Sequence, residues 1–419
     1  FILSASIVGS GELIATTILG ARAGFIAFWV IIVSCLIKVA VQLEFGKQAI
    51  LTGETVMQSF NKLSGPRIGK AGWAVWSVFI IAAFKAIQLG GMVGGSAVVL
   101  YMLFPFIPLY GWVVVIVILA AALISAGIYK IVEKVSLFMI VVFTITTITA
   151  VIVLQYTEFS FAWSDIRAGM GFRLPDELLA IAFGAFGITG VGSDEIIAYN
   201  YWCLEKGYAA YTGPRNDSPE WKRRAQGWIG VMYLDATFSM VIYTAVTAAF
   251  YILGAAVLHG KTTIPNGNEV IETLALIYTQ SLGPGVKTVY LVGAFFVLFS
   301  SVFAALAAFT RLYSDIAGQM GWINFFDPEQ RKKLVRWLSW IIPMIWATLY
   351  FFIKLPVLMI ISGGIVGSVL LFLVVYAAVK FRGKRVRFLP SGIVYNTAFG
   401  ISVVSIIVVG IYGLIQLFR

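Results

Sequence analysis

Residues 184–198 read GAFGITGVGSDEIIA, and this stretch predicts a membrane helix that is interrupted at its centre. Four glycines fall within nine positions, and Asp194 and Glu195 follow them directly. Glycine lowers helix stability by up to ~1 kcal/mol relative to alanine, so the cluster favours a break. A charged side chain at bilayer depth costs ~2.5–3.5 kcal/mol, so adjacent carboxylates there need partners. Together these features predict a discontinuous helix whose freed backbone groups and acids line a cation site.

A shorter copy of the pattern occurs near the start of the chain. Residues 9–15 read GSGELIA and residues 190–198 read GVGSDEIIA. Each stretch has two glycines around one residue, followed by an acid, two aliphatic residues and an alanine. Interrupted segments at matching positions of two halves are typical of transporters with internal repeats. Glycine and alanine are common in membrane helices, so a chance match is the alternative explanation.

The composition indicates a polytopic membrane protein. The 419 residues are 60% hydrophobic and only 12% charged, whereas soluble domains have about 25% charged residues. Cys35 and Cys203 lie in apolar segments and indicate neither disulfides nor a zinc cluster, and a single histidine, His259, excludes most histidine-based metal and proton chemistry. The sequence begins at Phe1 inside an apolar segment, without Met and without a signal peptide, so we expect residues to precede it.

Eleven apolar segments are long enough to cross a bilayer, which needs about 20 residues. We expect one transmembrane domain over residues 1–419, with a first repeat in 1–155, a second in 178–379 and a last helix at 397–418. Five helices followed by five more place the interrupted segments in helices 1 and 6, and an odd number of helices inverts the second repeat. This predicts an all-α, LeuT-type 5+5 inverted repeat with discontinuous helices 1 and 6. The predicted spans are 1–21, 25–46, 72–103, 111–129, 135–155, 178–203, 228–258, 286–310, 334–353, 356–379 and 397–418.

The basic residues predict the orientation of the chain. With a cytoplasmic N-terminus, 21 of the 30 Lys and Arg residues fall in cytoplasmic loops, as the positive-inside rule requires. Topology thereby explains the net charge of +11, so we expect the lipid bilayer as a partner and no nucleic acid. We expect a multi-pass protein of the plasma membrane. Nothing in the sequence indicates a cofactor or an obligate protein partner.

The acids of the two interrupted segments are the strongest candidates for cation ligands. Breaking a helix exposes backbone carbonyls that coordinate a cation, and the carboxylates supply the charge. Ligands that offer only oxygen suit hard ions such as Mg²⁺, Ca²⁺ and Mn²⁺, and small glycines leave room for an ion that keeps some of its waters. The predicted ligands are the side chains of Glu12, Thr189, Asp194 and Glu195 and the carbonyls of Gly9, Gly187 and Gly190.

A structural explanation of the same acids stays open at this point. Lys38 and Lys85 are basic residues inside the predicted spans. Ion pairs between these lysines and Glu12 or Glu195 would account for the buried charge without a transported ion.

Nearly the whole chain resembles the NRAMP family of divalent-metal transporters. Residues 9–29, GSGELIATTILGARAGFIAFW, match the family's spacing from its D-P-G-N motif through A-G-x-x-F-G-Y to a tryptophan. Three further stretches also resemble that family, and they are GGSAVVLYMLFPFIPLYGW at 94–112, YLDATFSMVIYTAVTAAFYILGAAVLH at 233–259 and TRLYSDIAGQ at 310–319.

The chain departs from the family at the positions that the resemblance makes functional. On D-P-G-N the metal-binding aspartate becomes Gly9 and the asparagine becomes Glu12. The A-x-x-M-P-H region of helix 6 lacks both methionine and histidine; one register places Val191 at the methionine and Asp194 at a following asparagine, and a register shifted by three places Ile188 and Thr189 at the methionine and proline. The acids of helix 3 and the glutamine of helix 10 align with Leu89, Met92 and Gly363.

These departures resemble the NRAMP-related magnesium transporters, a divergent branch of the family. The resemblance implies uptake of Mg²⁺ and Mn²⁺ without tight proton coupling. A pore is an alternative, but interrupted helices in an inverted repeat favour alternating access around a site at the middle of the membrane.

Two other function classes are less well supported. An amino-acid carrier of the same fold would use half-helix amides to hold a carboxylate, but Glu12 directly after the G-S-G turn would repel it. An organic amine with a positive charge would not meet this objection. A membrane-embedded protease would need paired catalytic aspartates or a histidine site, and neither pattern is present. We therefore expect a carrier and not an enzyme.

Overall fold

The structure is a computed structural model that describes residue 9, residues 11–126, 129–260, 283–385 and 389–417, and six positions between 272 and 279. Most of these residues are helical. Two strands of two residues each, β1 (Arg67–Ile68) and β2 (Ala71–Gly72), pair antiparallel between the helices Phe28–Thr52 and Trp73–Leu103. The α-helices are α1 (Thr17–Ala23), α2 (Phe28–Thr52), α3 (Val56–Asn61), α4 (Trp73–Leu103), α5 (Leu109–Ser125), α6 (Tyr129–Leu154), α7 (Trp163–Gly169), α8 (Leu179–Ile188), α9 (Ser193–Glu205), α10 (Tyr208–Thr212), α11 (Pro219–Leu253), α12 (Lys287–Met320), α13 (Pro328–Ile353), α14 (Pro356–Arg385) and α15 (Ile393–Leu417).

Short turns of other helix types extend four of these helices. The π-helical turn Gly11–Thr16 leads into α1, and a second one, Gly254–Leu258, follows α11. The 3₁₀ turns Asp176–Leu178 and Pro284–Val286 precede α8 and α12.

Eight helical stretches among the described residues are long and apolar enough to cross a membrane, with α8 and α9 counted as one stretch. Two further apolar helices, Leu109–Ser125 and Ile140–Leu154, are shorter than these eight. This confirms the multi-pass prediction but not the number of eleven spans. The first predicted span begins in residues 1–8, which lie outside the described residues.

Several helices extend beyond the predicted apolar spans because their polar ends carry good caps. Helix α11 begins at Pro219 and not at 228, since the Ser218 hydroxyl accepts from the Trp221 amide and proline suits the first helical position. Helix α13 begins at Pro328 and not at 334, because the Asp327 side chain accepts from the amides of the first turn. Hydropathy alone does not report such ends.

The predicted break in the sixth span is present between Ile188, the end of α8, and Ser193, the start of α9. Thr189 is extended, and Gly190 has φ +66°, a left-handed conformation that favours glycine. A Cβ at Gly190 would also lie only 2.9 Å from the Cα of Cys35. Glycine at this position is therefore required by both the backbone conformation and the close approach of α2.

Helix α14 packs against α4 and α8, and at α8 the two backbones are in direct contact. A Cβ at Gly187 would come within 1.8 Å of the Gly364 carbonyl oxygen, and a Cβ at Gly364 within 2.1 Å of the Gly184 carbonyl oxygen. Close approach through small residues is a usual way for membrane helices to associate, because lipid provides no hydrophobic force between them. This contact fixes the first half of the interrupted helix on α14.

We expect Gly187→Ala to lower the stability of the folded protein by roughly 1–3 kcal/mol, because the added methyl group must push α8 away from α14. Thermal unfolding of the purified protein in detergent measures this effect. Gly227→Ala on α11 is the matched control, since a Cβ there meets nothing within 4 Å and alanine favours the helix. Equal melting temperatures for wild type and Gly187→Ala would contradict the packing argument.

Candidate functional site

Glu12 links the start of the described chain to the break between α8 and α9. Its carboxylate is buried, with Oε2 accepting from the Gly9 amide at 3.0 Å and Oε1 accepting from the Gly190 amide at 3.0 Å. One oxygen thus holds the turn before the first helix, and the other holds the break between α8 and α9. The match between residues 9–15 and 190–198 therefore corresponds to a direct contact in the structure.

Glu195 stabilises the start of α9. Its Oε2 accepts from the Gly192 amide at 2.6 Å, which satisfies one of the backbone donors that every helix N-terminus leaves free. Asp194, its neighbour in the first turn, instead accepts from the Lys85 ammonium, and this pair connects α9 to α4. The Lys85 side chain is 1% exposed and the Asp194 side chain 23% exposed.

The two buried lysines do not take the partners that the sequence suggested. Among the described residues, neither Glu12 nor Glu195 forms an ion pair with Lys38 or Lys85. The Lys38 ammonium donates to the carbonyl oxygens of Phe186 at 2.7 Å and Thr189 at 2.6 Å. Those carbonyls lie at the C-terminal end of α8, where the helix dipole favours a positive charge. An ammonium of the chain therefore binds at the carbonyl end of α8.

A cavity of about 70 Å³ lies beside Glu12 and the break between α8 and α9. Helix α8 lines it only with Ile188, whereas α9 contributes Ala198 and Trp202 and α12 contributes residues from Ser301 to Phe309. The cavity therefore extends along α9 and the second half of α12. This volume is space for roughly five water molecules. The wall consists of Gly9, Gly11, Glu12, Lys85, Gln88, Leu89, Met92, Ile188, Gly192, Asp194, Glu195, Ala198, Trp202, Ser301, Ala304, Ala305, Ala308 and Phe309.

Four of the seven predicted ligands, Gly9, Glu12, Asp194 and Glu195, lie on this wall. The structure does not bring the other three to it. Gly187 packs on α14, as described above. The Thr189 hydroxyl is engaged with the Ala185 carbonyl and the Ser34 hydroxyl, each at 2.9 Å. Gly190 binds Glu12 through its amide and not through the predicted carbonyl.

Three side chains of helix α4 also line the cavity, and of these the sequence had pointed to Lys85 and Met92 but not to Gln88; the set is Lys85, Gln88 and Met92. Gln88 is buried, and its Oε1 has no hydrogen-bond partner among the described residues. A lone amide within an apolar helix was the available signal. Gly363, aligned above with a family glutamine, lies directly against it, because a Cβ at Gly363 would be 2.1 Å from the Gln88 Cβ. Met92 adds a thioether that is absent from both interrupted segments.

The acids do not form a ready-made chelate. Within the described part of the chain, no three side chains of His, Cys, Asp or Glu are grouped so that they could hold a metal ion. Each acid already binds a backbone amide or an ammonium, and all three acids line a space large enough for water. The arrangement therefore suits a cation that retains part of its hydration shell.

Comparison with known proteins places this geometry in context. A family profile described as Nramp, natural resistance-associated macrophage protein-like, matches residues 1–416. The divalent metal cation transporter MntH of Listeria innocua is 26% identical over 364 residues, which cover 85% of this chain and 75% of that protein. The relatives matched in sequence are named as transporters, in agreement with the prediction that the chain is not an enzyme.

Two solved structures share the fold. The Eremococcus coleocola manganese transporter, in complex with an aromatic bis-isothiourea substituted compound, has a TM-score of 0.67 at 15% identity and covers 98% of this chain and 84% of its own. MhsT in complex with L-phenylalanine has a TM-score of 0.58 at 15% identity, covering 100% of this chain and 96% of its own. Such likenesses confirm the predicted fold class.

We expect Glu12→Ala to destabilise the protein as well as alter its site. Removing the carboxylate leaves the amides of Gly9 and Gly190 without an acceptor, at about 1–3 kcal/mol for each buried group. Thermal unfolding without added metal measures the loss. Glu177→Ala, an exposed acid in the turn before α8, is the control and should melt within a degree or so of wild type. An unchanged melting temperature for Glu12→Ala would show that the bridge between the breaks contributes nothing.

Proposed function

The chain belongs to the Nramp family, and we propose that it carries hard divalent cations, Mg²⁺ and also Mn²⁺, across the plasma membrane. One observation carries this proposal: three carboxylates, Glu12, Asp194 and Glu195, line one cavity at the breaks. Relatives and a structural neighbour are named as transporters of divalent metal or manganese, which supports the same ion class. The metal is the transported substrate and not a resident cofactor.

The ligand chemistry supports a hard ion. Carboxylate oxygens from α9 and from the turn before α1 dominate the polar part of the wall, and these are the ligands that Mg²⁺ and Mn²⁺ prefer. Mg²⁺ gives up its waters reluctantly, and the cavity has room for several of them. The Met92 thioether is a poor ligand for both hard ions, so the carboxylates carry the metal-binding argument.

Transport without tight proton coupling is part of the same proposal. Leu89 and Met92 cannot titrate, and they occupy the wall positions that α4 presents to the cavity beyond Gln88. A coupled carrier needs an ionisable group that exchanges its proton during the cycle. The acids that line the cavity are bound to backbone amides or to Lys85, so none of them is free to serve as that group.

Alternating access is the third part of the proposal, and the position of the cavity supports it. The cavity extends along α9, the half of the interrupted helix that follows the break, and along the second half of α12. With the N-terminus in the cytoplasm, as the positive-inside rule predicts, that side faces the cytoplasm. We therefore assign the structure to the inward-facing half of the cycle.

Magnesium influx into proteoliposomes, followed with a trapped magnesium-sensitive dye, tests the proposal. We expect saturable influx of Mg²⁺ and Mn²⁺ in wild type and a loss of about tenfold or more in Asp194→Asn, because that change removes a charged ligand. Asp217→Asn is the matched control, since Asp217 is an exposed loop acid paired with Arg215. Normal Mg²⁺ influx in Asp194→Asn would contradict the site assignment. No influx of Mg²⁺, Mn²⁺ or Ca²⁺ in wild type would favour the amino-acid or organic-amine alternative instead.

The same vesicles test the absence of proton coupling. With a pH-sensitive dye inside, we expect metal addition to cause no acidification beyond that of protein-free vesicles. Acidification of the lumen that depends on both metal and protein would overturn this part of the proposal and leave the metal assignment intact.

A further inference from the structure

The ion pair between Lys85 and Asp194 lies inside the proposed substrate cavity. Both side chains line the cavity, with the ammonium buried from α4 and the carboxylate partly open in the first turn of α9. Any cation that binds Asp194 directly must therefore compete with a cation that the chain itself supplies.

Coulomb repulsion makes this competition strong. A divalent ion and an ammonium a few ångströms apart repel by several kcal/mol even at an effective dielectric constant of about 20. The ionisable side chains on the cavity wall are three acids, Glu12, Asp194 and Glu195, and one base, Lys85. Glu12 and Glu195 are bound to backbone amides of the breaks, so Asp194 is the acid whose partner can leave without freeing a backbone donor.

The wall also provides another position for the ammonium. Gln88 follows Lys85 by three residues, so the two side chains share a face of α4. Its buried Oε1 has no partner among the described residues. The Ser193 hydroxyl is likewise unpartnered among them, and a Cβ at Gly367 would lie 3.3 Å from Lys85 Nζ and 3.5 Å from Ser193 Oγ. A lysine head group thus has unoccupied acceptors within one helical turn.

We propose that Lys85 is a tethered counter-cation, which pairs with Asp194 when the cavity is empty and moves to Gln88 when a divalent cation takes Asp194. This inference rests on the proposed function, because it specifies how the same cavity exchanges its substrate. After releasing its substrate, a carrier that is not proton-coupled must reorient while empty. Unpaired carboxylates inside the membrane make that reorientation costly. Lys85 neutralises Asp194 during that reorientation.

The direction in which the Mg²⁺ affinity changes when Lys85 is replaced distinguishes a competing cation from a structural ion pair. Lys85→Met keeps the length of the side chain and removes the charge, so we expect the dissociation constant for Mg²⁺ to fall by about tenfold or more in calorimetric titration of the purified protein. Lys206→Met is the matched control, because Lys206 pairs with Asp235 outside the cavity and should leave the Mg²⁺ affinity unchanged. An unchanged or weaker affinity in a folded Lys85→Met protein would overturn the proposal.

Gln88→Leu tests the second position of the ammonium. On the wild-type background it should weaken Mg²⁺ binding several-fold, because the displaced lysine loses its acceptor. On the Lys85→Met background the same change should have no effect, since no ammonium remains to be moved. Equal effects on the two backgrounds would contradict the coupling between the two residues.

A structure of the wild-type protein with Mn²⁺, located by its anomalous scattering, keeps the proposal testable if a variant does not fold. We expect Mn²⁺ at Asp194 and the Lys85 ammonium within hydrogen-bond distance of Gln88. Mn²⁺ in the cavity beside an intact pair of Lys85 and Asp194 would overturn the inference and leave the proposed function standing. Wild-type protein that binds neither Mg²⁺ nor Mn²⁺ would overturn both.

Discussion

A membrane helix that breaks must satisfy its freed backbone groups inside the protein, and this constraint organises the centre of the molecule. The amides of Gly190 and Gly192 bind the carboxylates of Glu12 and Glu195, and the carbonyls of Phe186 and Thr189 bind the Lys38 ammonium. Acids thus occupy the amide end of the break and a base occupies its carbonyl end, as the dipoles of the two half-helices favour. The acids that the sequence suggested as substrate ligands therefore also satisfy backbone amides.

The same acids bind backbone amides and line the cavity, and this determines how tightly the cavity would bind a cation. Backbone amides hold Glu12 and Glu195 in place, which makes this part of the cavity wall preorganised. Asp194 differs because its partner is a flexible side chain. A proposed cation site with two fixed acids and one exchangeable acid binds its ion less tightly than three free carboxylates would. Moderate affinity suits a carrier, which must also release its substrate.

The sequence predicted the architecture well because the relevant signals are local. Apolar length indicates spans, and clustered glycines beside acids indicate the break at 189–192. The pairing of charges was not predictable in the same way, since Lys38 and Lys85 reach their partners only through packing between helices distant in sequence. Thr189 and Gly187 were plausible ligands by type, yet hydrogen bonding to Ser34 and contact with Gly364 turn them away from the cavity. Gln88 escaped notice because a single amide in an apolar run has no periodic signature.

The backbone contact between α8 and α14 has a mechanical consequence. Helices that meet backbone to backbone leave little room for side chains to repack, so a shift of α8 against α14 is costly. The four residues 189–192 separate α8 from α9, and Glu12 binds the Gly190 amide within them. The same carboxylate lines the cavity, so the cavity wall is anchored to the half-helix that α14 holds in place.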